Sequence, residues 1–123
     1  MVWPLDNLFH RKKAELLCEK IVLELQEEQI EIGRSKNEEQ SLQVVALDAS
    51  GKRINIISNT ITRGISKIHA FLIWDKSLKK YRFKDVSRYG SVINGATIYH
   101  SEIILENRAK IEIQGVKLQI IYS

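Results

Sequence analysis

Apolar residues along this chain recur at every second position far more often than at every third or fourth. Ile21, Leu23 and Leu25 alternate with Val22, Glu24 and Gln26. Ile30-Glu31-Ile32 follows the polar run Gln26-Glu27-Glu28-Gln29. Residues 42–47 and 54–57 are two further apolar stretches, separated by the turn residues Asp48-Ala49-Ser50-Gly51. Ala70-Phe71-Leu72-Ile73-Trp74 is apolar without a break and reads as a buried strand. Residues 81–86 alternate. Ile111 and Ile113, then Val116, Leu118, Ile120 and Tyr122, close the chain around a turn at Gln114-Gly115. A period of two places alternate side chains on opposite faces of a strand. Many short strands between polar turns predict an all-β fold, a two-sheet antiparallel sandwich of about ten or eleven strands. Asn94-Gly95 is the strongest hairpin signal, because both residues accept a positive φ. One segment reads two ways. Ala14, Leu17, Cys18, Ile21 and Leu25 also fit one helical face, so a helix over residues 11–20 running into a strand stays open.

The length of 123 residues suits one domain over 1–123 with a core of its own. A single cysteine, Cys18, allows no internal disulfide and points to a reducing compartment. Met1-Val2-Trp3-Pro4-Leu5-Asp6 lacks the basic start and apolar block of a signal peptide, and no apolar run is long enough to cross a bilayer as a helix. The expected location is therefore the nucleus or the cytosol. The net charge of +4 favours acidic or phosphorylated partners, although scattered charge of this size also serves solubility. The one dense basic run, His10-Arg11-Lys12-Lys13, is short and reads as a solvated face.

Catalytic patterns are weak. Ser66, His69 and Asp85 suggest a hydrolase triad, but there is no Gly-x-Ser-x-Gly elbow, and Ser-x-x-His entering a strand points its two side chains to opposite faces. Cys18, His10, His69 and His100 lack the spacing of metal ligands, and no glycine-rich nucleotide loop is present. No enzyme activity, metal or cofactor is expected. Trp3, Trp74, Phe71 and Phe83 read as core rather than as stacking platforms.

Three strings remain, each at the edge of a strand-like run: Gly33-Arg34, then Ile65-Ser66-Lys67-Ile68-His69-Ala70, then Asp85-Val86-Ser87-Arg88-Tyr89-Gly90-Ser91-Val92-Ile93-Asn94-Gly95. Separately each is an ordinary turn or surface loop. Together and in this order they resemble the forkhead-associated (FHA) domain, over residues 22–122. The resemblance implies a module that binds phosphothreonine in a threonine-phosphorylated partner protein. It implies that Arg34 and Ser66 hold the phosphate with help from Lys67, that Arg88 and Tyr89 touch the peptide, and that Ser91 shapes its groove. Gly33, His69, Gly90 and Asn94 would support the site, His69 by bracing the binding loop. Such a ligand carries about −1.5 to −2 charges and three acceptor oxygens, so it calls for a guanidinium, hydroxyls and free N–H groups converging on one point.

The chain departs from the family pattern in three places. Tyr89 stands where most members have an asparagine that grips the ligand backbone. A branch of the family working in DNA double-strand-break repair carries an aromatic there, and its strings are similar to Arg88-Tyr89-Gly90-Ser91 and to residues 64–70; a nuclear role in DNA repair or meiotic signalling follows from that likeness. Arg108-Ala109 replaces a usual Gly-Asp turn, and an extended or inserted hairpin is expected around residues 41–53. Two rivals stay open: an FHA-like scaffold for protein interaction or dimerisation that has lost phosphate binding, and a small basic barrel for single-stranded nucleic acid. Direct nucleic-acid binding is the less favoured of these.

Overall fold

The computed structural model describes residues 12–35, 42–48, 51–56 and 64–123, with side chains for residues 12–35, 42–45 and 64–123. The opening Met1-Val2-Trp3, His10 and Arg11 of the basic run, Ser41, the turn residues Ala49 and Ser50, and Ile57 lie outside the described residues.

The first strand settles the ambiguous segment. β1 (Ala14–Cys18) is extended, and the alternating residues Ala14, Leu16 and Cys18 are buried while Leu17 lies on the other face. The helical alternative is thus set aside: it left Leu16 off the apolar face, whereas the strand buries it against the opposite sheet. Burial pushes the Cys18 thiol up to about 11, with the neighbouring Glu19 carboxylate adding to the effect, which leaves it an unreactive core group. β2 (Ile21–Leu25) pairs back on β1 and buries Leu23 and Leu25. The chain then crosses to the second sheet through β3 (Gln29–Arg34), which is flanked by β4 (Leu42–Asp48) and β6 (Ala70–Asp75). β4 forms a hairpin with β5 (Gly51–Ile56), closed at Asp48 and Gly51, in the region where the sequence suggests an extended hairpin. β7 (Lys80–Asp85) pairs with β6, followed by β8 (Ser91–Ile93), β9 (Ala96–Ile98), β10 (Glu102–Ile104), β11 (Lys110–Ile113) and β12 (Val116–Tyr122).

The twelve strands among the described residues make two antiparallel six-stranded sheets, ordered β2-β1-β12-β11-β8-β9 and β10-β7-β6-β3-β4-β5. Their inner faces meet in one core. Ile30, Ile32, Leu72, Tyr81 and Phe83 from one sheet pack with Leu16, Leu25, Ile111, Ile113, Leu118 and Ile120 from the other. Burying each such side chain stabilises the fold by about 1.5–3 kcal/mol. The β8–β9 and β11–β12 hairpins turn through Asn94-Gly95 (φ 50° and 86°) and Gln114-Gly115 (φ 47° and 86°), the pair of positive φ values that matches strand twist. Arg108 takes a φ of 68°, the left-handed geometry that a glycine would adopt freely, at the turn where the family pattern has one.

One end of the sandwich is locked by tyrosines. Tyr81 donates its hydroxyl to the Glu27 carbonyl at 2.7 Å, and Tyr122 donates to the Leu105 carbonyl at 2.7 Å while accepting the Tyr81 N–H at 2.9 Å. The opposite end carries the C-terminus of β3, the loop before β6, the loop after β7 and the return between β9 and β10. Sheet order brings these together, since β3 neighbours β6 and β6 neighbours β7.

Candidate functional site

Gly33 admits the loop that makes the site. A Cβ added there would stand 2.1 Å from the Lys67 carbonyl oxygen and 3.2 Å from the Ile68 Cα, so only glycine lets residues 64–69 lie against β3. The contact is sealed on both sides: the Arg34 N–H donates to the Ser66 carbonyl at 3.1 Å, and the His69 N–H to the Ile32 carbonyl at 2.8 Å. Arg34 shares the strand parity of Ile30 and Ile32, so it leaves β3 on the side facing the other sheet, at the open end. It is exposed, and no ion pair among the described residues engages Arg34 or Lys67.

Ser66 joins this loop to the next. Its Oγ accepts the Arg88 N–H at 2.9 Å, which leaves the hydroxyl proton to be donated elsewhere. Arg34, Ser66 and Arg88, separated by 32 and 22 positions in the chain, are therefore linked by two hydrogen bonds through one serine. Lys67 is exposed beside them. The Arg88 guanidinium lies 5.3 Å from the centre of the Tyr89 ring, a cation–π contact, and the ring is 59% exposed.

His69 is fully buried and has both ring nitrogens engaged. Nδ1 accepts the Ser66 N–H at 3.2 Å, so the proton sits on Nε2, which donates to the Gly90 carbonyl at 2.9 Å. One neutral imidazole thus ties the Ser66 loop to the Arg88 loop. Burial lowers its pKa below 6.5, against smaller opposing effects of the Gly90 carbonyl and of Asp85, whose carboxylate is 3.9 Å away. With both nitrogens bound to backbone, this histidine has no lone pair to activate a serine.

Asp85 anchors the second loop from below. It is 1% exposed and accepts from the Ser87 N–H, the Ser87 and Ser91 hydroxyls and the His100 N–H at 2.5–3.2 Å. Burial pushes its pKa up, but the bonds from Ser91, His100 and Ser87 together outweigh it and hold the carboxyl below its usual range. Ser87 Oγ in turn accepts the Gly90 N–H at 2.7 Å. Gly90 has φ 89°, and a Cβ there would stand 2.8 Å from the Ile98 carbonyl.

Two expected site residues occupy other roles. Ser91, expected at the peptide groove, is 2% exposed and gives its hydroxyl to Asp85, so it acts on the loop from beneath. Asn94, expected to tie the site loops together, bonds the far end of β8 to β11: its Oδ1 accepts the Lys110 N–H, and its own N–H donates to the Lys110 carbonyl, each at 2.8 Å. Sequence reasoning passed over the return at Tyr99-His100-Ser101, which carries no motif. There the His100 Nε2 donates to the Ser87 carbonyl at 2.7 Å and the Asp85 N–H to the Ser101 carbonyl at 3.0 Å.

The FHA-domain family model matches residues 30–114, which spans all three strings and both site loops. The chain belongs to the forkhead-associated family. Among solved structures, an FHA domain studied for phosphothreonine-dependent interactions is similar with a TM-score of 0.62 and 16% identity, over 90% of this chain and 97% of that one. The MEK1 FHA domain in complex with a HOP1 phosphothreonine peptide has a TM-score of 0.62 and 16% identity, covering 91% and 98%. The FHA domain of an Arabidopsis thaliana hypothetical protein has a TM-score of 0.64 and 16% identity, covering 90% and 86%. Likeness at such identities concerns the fold. No curated protein compared with the chain is detectably similar in sequence.

Proposed function

We propose that this FHA domain is a reader of phosphothreonine peptides, in which Arg34 and Ser66 bind the phosphate. The observation that carries the reading is the junction at Ser66, which accepts the Arg88 N–H on its hydroxyl and the Arg34 N–H on its carbonyl. A phosphate set there would meet the guanidinium of Arg34, the Ser66 hydroxyl proton and the field of Lys67 and Arg88. Arg88 and Tyr89 would contact the peptide; Ser91, with Gly33, His69 and Gly90, supports the loops. Each hydrogen bond to the charged group is worth about 1.5–3 kcal/mol net. Two or three of them, less the cost of association, describe a reversible reader of about micromolar affinity. Relatives of the same fold support the ligand class, since one was solved with a phosphothreonine peptide.

The partner would be a threonine-phosphorylated protein. The aromatic Tyr89 in Arg88-Tyr89-Gly90-Ser91, and the string Gly64-Ile65-Ser66-Lys67-Ile68-His69-Ala70, are similar to the N-terminal FHA domain of nibrin, and on that likeness we place the domain in nuclear DNA repair or meiotic signalling. Calorimetry against a library of phosphothreonine peptides and their unphosphorylated forms tests the binding. Binding should need the phosphate and be lost in Arg34→Ala. A domain that binds partners equally well without the phosphate is a scaffold, and steep salt dependence with oligonucleotides, unchanged in Arg34→Ala, would replace the reading with nucleic-acid binding.

A further inference from the structure

The return between β9 and β10 lies against the loop that follows β7. Tyr99 is 57% exposed, so its ring offers apolar area to a ligand beside the site. Its ring stacks on the His100 imidazole, with centroids 4.1 Å apart and planes at 29°. It also stands beside Gly90: a Cβ built on that glycine would lie 3.8 Å from Tyr99 Cδ1. The stack is fixed to the site by three hydrogen bonds, from the His100 ring to the Ser87 carbonyl, from the His100 N–H to Asp85, and from the Asp85 N–H to the Ser101 carbonyl. Its scaffold is therefore the same Asp85–Ser87 knot that holds the loop bearing Arg88 and Tyr89. His100 adopts φ 50°, in the left-handed region, to complete that arrangement.

We infer that the Tyr99–His100 stack is a shelf for a residue flanking the phosphothreonine of the same ligand, and that Tyr99 selects an aliphatic or aromatic side chain there. The inference rests on the phosphopeptide reading, with which its surface is continuous. A rigidly held, uncharged ring face buries apolar area at small entropic cost. A lysine or arginine on the ligand would enter the positive field of Arg34, Lys67 and Arg88, so a cationic residue is disfavoured at the shelf. The wall differs from that of Tyr89, whose ring is held by Arg88 and lies against Gly64.

The test is a phosphothreonine peptide array varied at each flanking position, read with wild type, Tyr99→Ala, Tyr99→Phe and Arg34→Ala. Circular dichroism melts verify that each variant is folded. At one flanking position the wild type should prefer aliphatic or aromatic residues. Tyr99→Ala should weaken the preferred peptide about fivefold to twentyfold, matching the loss of one partly buried apolar contact. It should leave the peptide with alanine at that position unchanged, and Tyr99→Phe should restore the preference. An identical preference profile in wild type and Tyr99→Ala overturns the shelf while phosphate-dependent binding stands. If no phosphopeptide binds, or binding survives Arg34→Ala, the underlying reading falls and the shelf with it.

Discussion

Replacing Gly33 by alanine tests the packing on which the site depends. The new Cβ would sit 2.1 Å from the Lys67 carbonyl oxygen, a backbone atom with no rotamer to change. An ordinary carbon–oxygen contact needs about 3.2 Å, so the loop at residues 64–69 must retreat from β3 by about 1 Å. Such a shift breaks or stretches the Arg34–Ser66 bond of 3.1 Å and the His69–Ile32 bond of 2.8 Å. At about 1 kcal/mol each, with further loss from the displaced His69 brace, the cost is roughly 2–4 kcal/mol. For a domain of this size that corresponds to a fall in Tm of about 10 °C. Gly95→Ala supplies the control. Gly95 has a φ of 86° but open space around it, so alanine there carries only the left-handed backbone penalty of about 1–2 kcal/mol. Thermal melts by circular dichroism compare the two variants, and calorimetry with a phosphothreonine peptide reports on the moved serine. Gly33→Ala should be the less stable and should lose binding; Gly95→Ala should keep it. If Gly33→Ala melts at or above the temperature of Gly95→Ala, the close approach does not govern the fold and the argument fails.

The remaining expectations concern charge and protonation. Arg34→Lys keeps the charge but loses the two-pronged donor, so peptide affinity should fall about tenfold, while Arg34→Ala removes both bonds and should abolish measurable binding, with no change in Tm beyond about 2 °C. His69 is neutral when folded and its pKa lies below 6.5, so below that pH the unfolded chain binds the proton more readily. Its contribution is complete above pH 6.5 and is lost as the pH falls, at up to about 1.4 kcal/mol per pH unit; protonation would also set an Nδ1–H against the Ser66 N–H. Melts of wild type and His69→Gln between pH 7 and 5 should show a shallower slope for the variant, and parallel slopes would refute the assignment. Ser91→Ala removes a donor from a buried carboxylate and should cost about 2 kcal/mol at pH 7 in denaturant titration. Because Asp85 is held below its usual pKa when folded, that gap should narrow as the pH drops below about 4, and a gap that stays constant would exclude Asp85 as the partner that matters.

Local pattern carried the strands, and sheet order carried what local pattern missed. The alternation of Ile111 and Ile113, or of Tyr81 and Phe83, could be read from the chain because period two needs only neighbours. The segment at residues 14–18 was ambiguous because Ala14, Cys18 and Ile21 satisfy both periods; burial of Leu16, and exposure of Ile21 at 38%, decide for the strand. Ser91, expected at the peptide groove, obeys the same rule. It shares the face of Ile93, a core residue, so strand parity directs its hydroxyl inward, and a buried hydroxyl must find an acceptor. Asp85 sits on the inner face of β7 with Tyr81 and Phe83, and it is that acceptor. What no periodicity contains is the position of β3 beside β6, set by the crossing from one sheet to the other, and it is this adjacency that brings Arg34 to Ser66. The Tyr99–His100 return was invisible for a related reason. Each of its bonds to the site has a backbone group on one side, the Ser87 and Ser101 carbonyls and the His100 N–H, so the His100 imidazole and the Asp85 carboxylate have partners that leave no trace in the sequence. A side chain such as His100, whose partner is the Ser87 carbonyl of a different loop, therefore shows its role only once the sheets are assembled.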